Sequence, residues 1–159
     1  MPGTPYEHVV EALERAPDLL VPLILEMPEE LRKRKKAPGK WSAHEHLCHL
    51  AAVQPMFLQR LQQMRTEDDP LLTPYDPDQE HAPGDLLAVA FDDAVARLRR
   101  ERTAIVERLR ELEPADWERT ARHPEYERYT IYILFRHVVL HDMLHGYRIE
   151  ELVLNRDWR

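Results

Sequence analysis

In the stretch Leu134-Phe135-Arg136-His137-Val138-Val139-Leu140-His141-Asp142-Met143-Leu144-His145-Gly146-Tyr147-Arg148-Ile149, apolar residues and histidines recur at helical rather than strand spacing. At about 100° per residue, Leu134, Val138, His141, His145, Ile149 and Leu152 fall within roughly 80° of one another. One face of a helix therefore carries two imidazoles amid its apolar stripe. Buried imidazoles require partners for both ring nitrogens. Positions i and i+4 bring Cβ atoms to about 5–6 Å, close enough for two rings to share one metal ion. His137 and His145 are separated by about 12 Å along the axis and cannot share one; His137 also lies at the edge of the stripe. The pair is His141 and His145. The competing reading is of two core histidines bonded to carboxylates or backbone carbonyls.

Working back toward the N-terminus, three more segments show helical periodicity and none shows sustained strand-like alternation. The first spans about Thr4 to Met27, and Pro17 and Pro22 are expected to kink or split it. The second opens at Ser42-Ala43-His44-Glu45, which has the form of a capping box. It continues through Leu47, Leu50, Val53, Phe57 and Leu61, with Pro55 expected to bend it without ending it. The third starts near Pro83 or Gly84 and runs to about Leu112, with a core face of Leu87, Phe91, Val95, Leu98, Ile105 and Leu109. The fourth runs from Thr130 to about Leu154. An all-α four-helix bundle follows, a single domain over 1–159. The acidic, proline-bearing stretch Thr66–Gly84 forms a long loop between helices 2 and 3, placed to cover one end of the bundle. Pro114-Ala115-Asp116-Trp117 reads as a helical turn that packs one aromatic ring.

Composition narrows the function. Of 159 residues, 22 are Lys or Arg and 29 are Asp or Glu, a net charge of −7 that argues against nucleic acid as a partner. The run Arg32-Lys33-Arg34-Lys35-Lys36 reads as a solvated loop. The longest apolar run, Leu19–Leu25, contains Pro22 and is far too short to span a bilayer. One cysteine, Cys48, forms no internal disulfide, and Met1–Tyr6 shows no signal peptide; both fit a cytoplasmic protein. Cys48 reads as a small buried residue.

Two imidazoles alone hold a divalent ion weakly, and the second helix offers His44, His46 and His49 as a third. Periodicity by itself favours His46, which lies in the stripe with Leu50 and Phe57, over His49 at its margin. His141-Asp142-Met143-Leu144-His145 also has the outline of the zinc-protease HExxH signature with Asp for Glu. Asp is one methylene short for the usual general base, and the chain runs only 14 residues further, so peptidase activity is disfavoured.

Gly39-Lys40-Trp41-Ser42-Ala43-His44-Glu45-His46-Leu47-Cys48-His49-Leu50, Leu112-Glu113-Pro114-Ala115-Asp116-Trp117 and the His141-to-His145 helix, in that order, resemble the conserved blocks of the DinB-like superfamily in its short four-helix form. The resemblance covers nearly the whole chain and implies a bundle of the DinB/YfiT-like type. It implies a three-histidine metal site of His49, His141 and His145, with His49 in place of His46. It also implies a divalent ion, Zn or Ni, and a homodimer. Several similar proteins are thiol S-transferases, so the resemblance implies transfer of a bacillithiol- or mycothiol-type thiol to an electrophilic small molecule. Hydrolysis by a bound hydroxide is one alternative; a metal- or ligand-binding stress protein without turnover is the other. Asp142, His137 and His46 stand as residues that orient the ligands, and Tyr147 and Arg148 as contacts to the cosubstrate. Relatives often carry Gln where Arg148 stands. An arginine there would receive an anionic group or pair with a neighbouring carboxylate. The back of the fourth helix shows Val139, Met143 and Leu154 with Tyr147 nearby, a second apolar stripe that suits a partner chain.

Overall fold

The computed structural model describes residues 3–158, which form helices joined by loops and two isolated β-bridges, with no extended strand among them. Helix α1 spans Pro5–Leu25. Thr4 caps it in a reciprocal box with Glu7, and Pro5 occupies the first turn, where its missing N–H costs nothing. Helices α2 (Ala43–Ala52) and α3 (Gln54–Thr66) follow, then two single-turn helices, α4 (Pro77–Glu80) and α5 (Asp85–Ala88). Helix α6 spans Phe91–Arg110, α7 Pro114–Trp117 and α8 Ile131–Val153. The bundle consists of α1, the α2–α3 pair, α6 and α8; α1 packs on α8 and α6, and α2 on α6 and α8. Gly146 lets α1 and α8 approach closely, since a Cβ there would stand 2.9 Å from Leu20 Cδ2.

Three expectations need correction. Pro17 and Pro22 do not split α1, which is continuous. Pro17 lacks the N–H that would bond the Leu13 carbonyl, and the Arg102 guanidinium supplies the donor instead at 3.0 Å. Pro55 does more than bend the second segment: α2 stops at Ala52 and α3 restarts at Gln54, because Pro55 has no N–H to bond the Ala51 carbonyl one turn back, even though Val53 at the break keeps right-handed helical backbone. The Gln54 side-chain amide donates to the Leu50 carbonyl at 2.7 Å across this break. The third long helix starts at Phe91 rather than near Gly84, after extended backbone at Val89 and Ala90. That interruption changes register, so Leu86, not Leu87, is buried.

The expected helical turn at Pro114–Trp117 is present, and buried Trp117 stacks on Tyr6 with ring centroids 5.1 Å apart. The core is in two apolar halves. One gathers Leu13, Phe57, Leu61, Ile105, Leu109 and Phe135; the other gathers Leu20, Ile24, Leu47, Leu50, Leu98 and Ile149. Buried polar side chains, Gln54, Arg102, Asp142 and His145, lie between them along the helices. No helix among the described residues is long and apolar enough to cross a membrane.

Candidate metal centre

Two helices deliver the histidines. The Ser42–Glu45 capping box fixes the start of α2, with Glu45 N bonded to Ser42 Oγ at 3.2 Å and Ser42 N to Glu45 Oε2 at 2.7 Å. One turn on, His46 and His49 point toward α8. On α8, His141 and His145 face them. The Nε2 atoms of His49 and His141 are 3.1 Å apart, as are those of His145 and His141. Among the described residues, these three form the one group of ligand atoms that converges in this way.

The outer nitrogens decide what the inner ones present. His145 Nδ1 lies 2.8 Å from His46 Nδ1. His49 Nδ1 lies 3.4 Å from Tyr75 Oη, which in turn lies 3.3 Å from His81 Nε2. With the ring protons of His145 and His49 donated outward to His46 and Tyr75, both rings turn an unprotonated Nε2 into the cluster. His141 Nδ1 is buried without a partner. Lone pairs converging in a dry site repel one another unless a cation lies among them. Metal–nitrogen bonds of about 2.0–2.1 Å at octahedral to tetrahedral angles require N···N spacings of about 2.9–3.4 Å. Two of the three spacings, both 3.1 Å, fall in that range, the three ligand nitrogens lie within 4.8 Å of one another, and the residues fit a divalent ion.

Burial keeps the rings neutral. It pushes His145 down to about 2 and His49 to about 3, in each case assisted by neighbouring imidazoles, and His46 to about 4. His141 is lowered for the same first reason. Trp41 covers the group, its ring 4.8 Å from that of His49 and stacked at 5.9 Å on His145, and Phe57 sets an edge against His141. His141 is the least covered of the three and opens on a cleft of about 240 Å³.

The other residues singled out in the sequence are placed differently. Asp142 orients none of the ligand rings: its two oxygens accept from Arg102 at 2.6 and 3.0 Å. Arg102 also donates to Gln54 Oε1 and the Leu13 carbonyl, so one buried side chain ties all four long segments together. His137 packs against Tyr126 and Tyr129 and touches no ligand ring. Tyr147 lies about 200° round α8 from His145, in a groove against α1, away from the cluster. Arg148 pairs with Glu151 at 2.9 Å on the surface. Cys48 is buried, and burial pushes its thiol up to about 11. Sequence reasoning missed Tyr75 and His81, which sit in an irregular loop with no periodic signal. It also missed Arg102, though that residue stands on the apolar stripe between Leu98 and Ile105, where a charge requires a buried partner.

The sequence profile of the DinB superfamily matches residues 12–149. A protein of Oceanobacillus iheyensis that carries the provisional name of metal-dependent hydrolase, OB0782, is 26% identical over 149 residues, 94% of this chain and 86% of that protein. The fold is similar to that of YfiT from Bacillus subtilis, described as a probable metal-dependent hydrolase with an unusual four-helix bundle topology. The TM-score is 0.84 at 23% identity, over 92% of this chain and 85% of the other.

Proposed function

This chain belongs to the DinB superfamily, and from that premise we propose that it is a metal-dependent enzyme that transfers a low-molecular-weight thiol to an electrophilic small molecule. The observation that carries the reading is the convergence of three neutral imidazole nitrogens, with no carboxylate among them, beside an open cleft. His49, His141 and His145 would hold a divalent ion such as Zn or Ni through Nε2. Such an ion, held by neutral ligands, keeps its full charge and lowers the pKa of a thiol or water at its open position.

The protein's own groups do the rest. His46 and Tyr75 hold the tautomers of His145 and His49, and Trp41 and Phe57 keep bulk water from the rings. In the overall reaction the thiol loses its proton, a carbon–sulfur bond forms, and the leaving group departs with the bonding electrons. The relatives' names favour a second reading, hydrolysis of a small molecule. Neutral imidazoles serve either chemistry. Thiol dependence separates them: transfer needs added thiol, and hydrolysis does not.

The test is metal content per chain in untagged protein and in His145→Ala, followed by assay of the metal-loaded wild type on an activated aryl halide with and without 2-mercaptoethanol. Near-stoichiometric metal in wild type alone, with thiol-dependent loss of halide, supports transfer. A wild type that cannot be loaded overturns the enzymatic reading, and halide release without thiol favours hydrolysis.

We further propose a homodimer in the cytoplasm, as the single buried cysteine and the surface suggest. Leu19 of α1 and Met143 and Tyr147 of α8 are 71%, 60% and 63% exposed along one apolar groove. A second copy covering that groove gives a dimer in sedimentation equilibrium that Met143→Glu dissociates; a monomeric wild type at micromolar concentration counts against it.

A further inference from the structure

The cleft that reaches His141 continues between α3, α8 and the segment 118–130. Phe57 and Val138 give it apolar walls next to the cluster. Tyr129 and His137 line it further out, and Arg60 stands on its rim. Arg60 is half-buried, and among the described residues no carboxylate pairs with it, although the chain carries 29 acidic side chains against 22 basic ones. Its head is held by Nη2, which donates to the Thr73 carbonyl at 2.6 Å, and it also interacts with the Tyr129 hydroxyl. A guanidinium has five N–H donors in a planar fork, so most of its capacity remains for a ligand. The rim carries one acid, Glu125, which is exposed and forms no ion pair with it. The charge of Arg60 is felt across the cleft. Burial, with Arg60 adding to it, lowers the His123 imidazole, and Arg60 opposes the rise that burial gives the Tyr129 hydroxyl. Arg148, the residue at which the sequence left an anion contact open, is engaged with Glu151 instead.

We infer that the molecule handled at the three histidines carries an anionic group of carboxylate type that Arg60 receives, with a small apolar body against Phe57 and Val138 and its reacting atom beside His141. The inference rests on the proposed metal reading of the cluster and assigns its substrate class. An arginine fork binds a carboxylate through paired, charge-assisted hydrogen bonds, which a hydroxyl of the same reach cannot match. The anion belongs either to the thiol or to its electrophilic partner, and two probe pairs distinguish them.

In cobalt-loaded protein, binding of 3-mercaptopropionate and 3-mercaptopropan-1-ol is followed by visible absorption, without turnover. Binding of 3-phenylpropionate and 3-phenylpropan-1-ol is followed by calorimetry. In at least one pair the acid binds about tenfold tighter than its alcohol. That preference falls below about twofold in Arg60→Ala and in Arg60→Gln, and part of it survives in Arg60→Lys. Cobalt stoichiometry near wild type in each variant shows that the fold and the triad persist. Preference in the thiol pair assigns the anion to the thiol; preference in the phenyl pair assigns it to the electrophile. No preference in either pair, or one undiminished in both Arg60→Ala and Arg60→Gln, overturns the inference. A wild type that takes up no cobalt overturns the metal reading instead, and the phenyl pair, which needs no metal, still decides the role of Arg60.

Discussion

Two buried polar clusters share the middle of this bundle, and they are built on opposite terms. Around Arg102, donors and acceptors match: Nε bonds Gln54, one Nη bonds both Leu13 and Asp142, and the other bonds Asp142 again. Four of the five Arg102 N–H donors are engaged, and the carboxylate that answers its charge is buried with it. Around His141, the next residue on the same helix, three imidazole nitrogens face inward, those of His49 and His145 as acceptors, and one outer nitrogen has no partner. A polar network that is complete holds helices together; one that is complete only with a cation is built to bind. Both lie on α8, at adjacent positions. Their difference comes from what the facing helices supply, an arginine from α6 in one case and a histidine from α2 in the other.

The sharpest break in the comparison is His145→Ala. Metal content falls from near one per chain to near zero, while the metal-free protein loses only about 1–2 kcal/mol, because truncation gives up the bond to His46 and the stacking on Trp41 but also removes one of two unprotonated nitrogens that converge on His141. Metal analysis and urea unfolding of the same samples check this. A large loss of metal-free stability would make the cluster structural.

Asp142→Ala should do the reverse. It leaves a buried guanidinium unpaired and costs about 3–5 kcal/mol in urea unfolding. Replacing both partners, Arg102→Met with Asp142→Leu, recovers most of that loss. A double variant as unstable as the single one would show that the Leu13 and Gln54 bonds of Arg102 matter more than its ion pair.

His46→Phe tests whether the outer hydrogen bond tunes the inner nitrogen. It lowers metal affinity about 10–100-fold with the three ligands intact, read by competition with a chelator. Unchanged affinity would reduce His46 to a packing residue.

The smallest effect is on pH dependence. In the unfolded chain these rings take protons near pH 6.5, whereas in the fold His46, His49 and His145 take them only near about 4, 3 and 2. The unfolded state therefore binds more protons across that window. The stability of the metal-free protein is full above about pH 7 and falls as pH drops through 6 to 4. The urea midpoint should decline over that range, and more shallowly with His46→Phe and His49→Phe combined. An unchanged slope would place the acid sensitivity elsewhere.

Much of this was legible in the residues. The i, i+4 spacing of His141 and His145 on an apolar stripe is enough to bring both rings into the core of a bundle, because a helix has no other way to bury Leu134, Val138 and Ile149. Ser42 and Glu45 announced the start of α2, and the box forms as written. Periodicity by itself favoured His46 over His49, and the fold reverses that choice, bringing His49 to His141 and His145. Both face α8, and the choice turns on which ring reaches Nε2 to Nε2 and which meets His145 from behind. Asp142 was misread as a partner of its helical neighbours. Its position on α8 was plain, but its partner lies forty residues earlier in the chain, on α6.

Local periodicity, capping and composition were enough to give the long helical segments, most of their apolar faces and the set of histidines available. Which polar side chains answer one another was settled by packing. A hydrogen bond or a shared ion is settled by distances of a few tenths of an ångström between residues far apart in the chain. No spacing along the sequence encodes that Tyr75 would come to stand behind His49, that Arg102 would fill the gap left by Pro17, or that Arg60 would line the same cleft as His141 without a carboxylate partner.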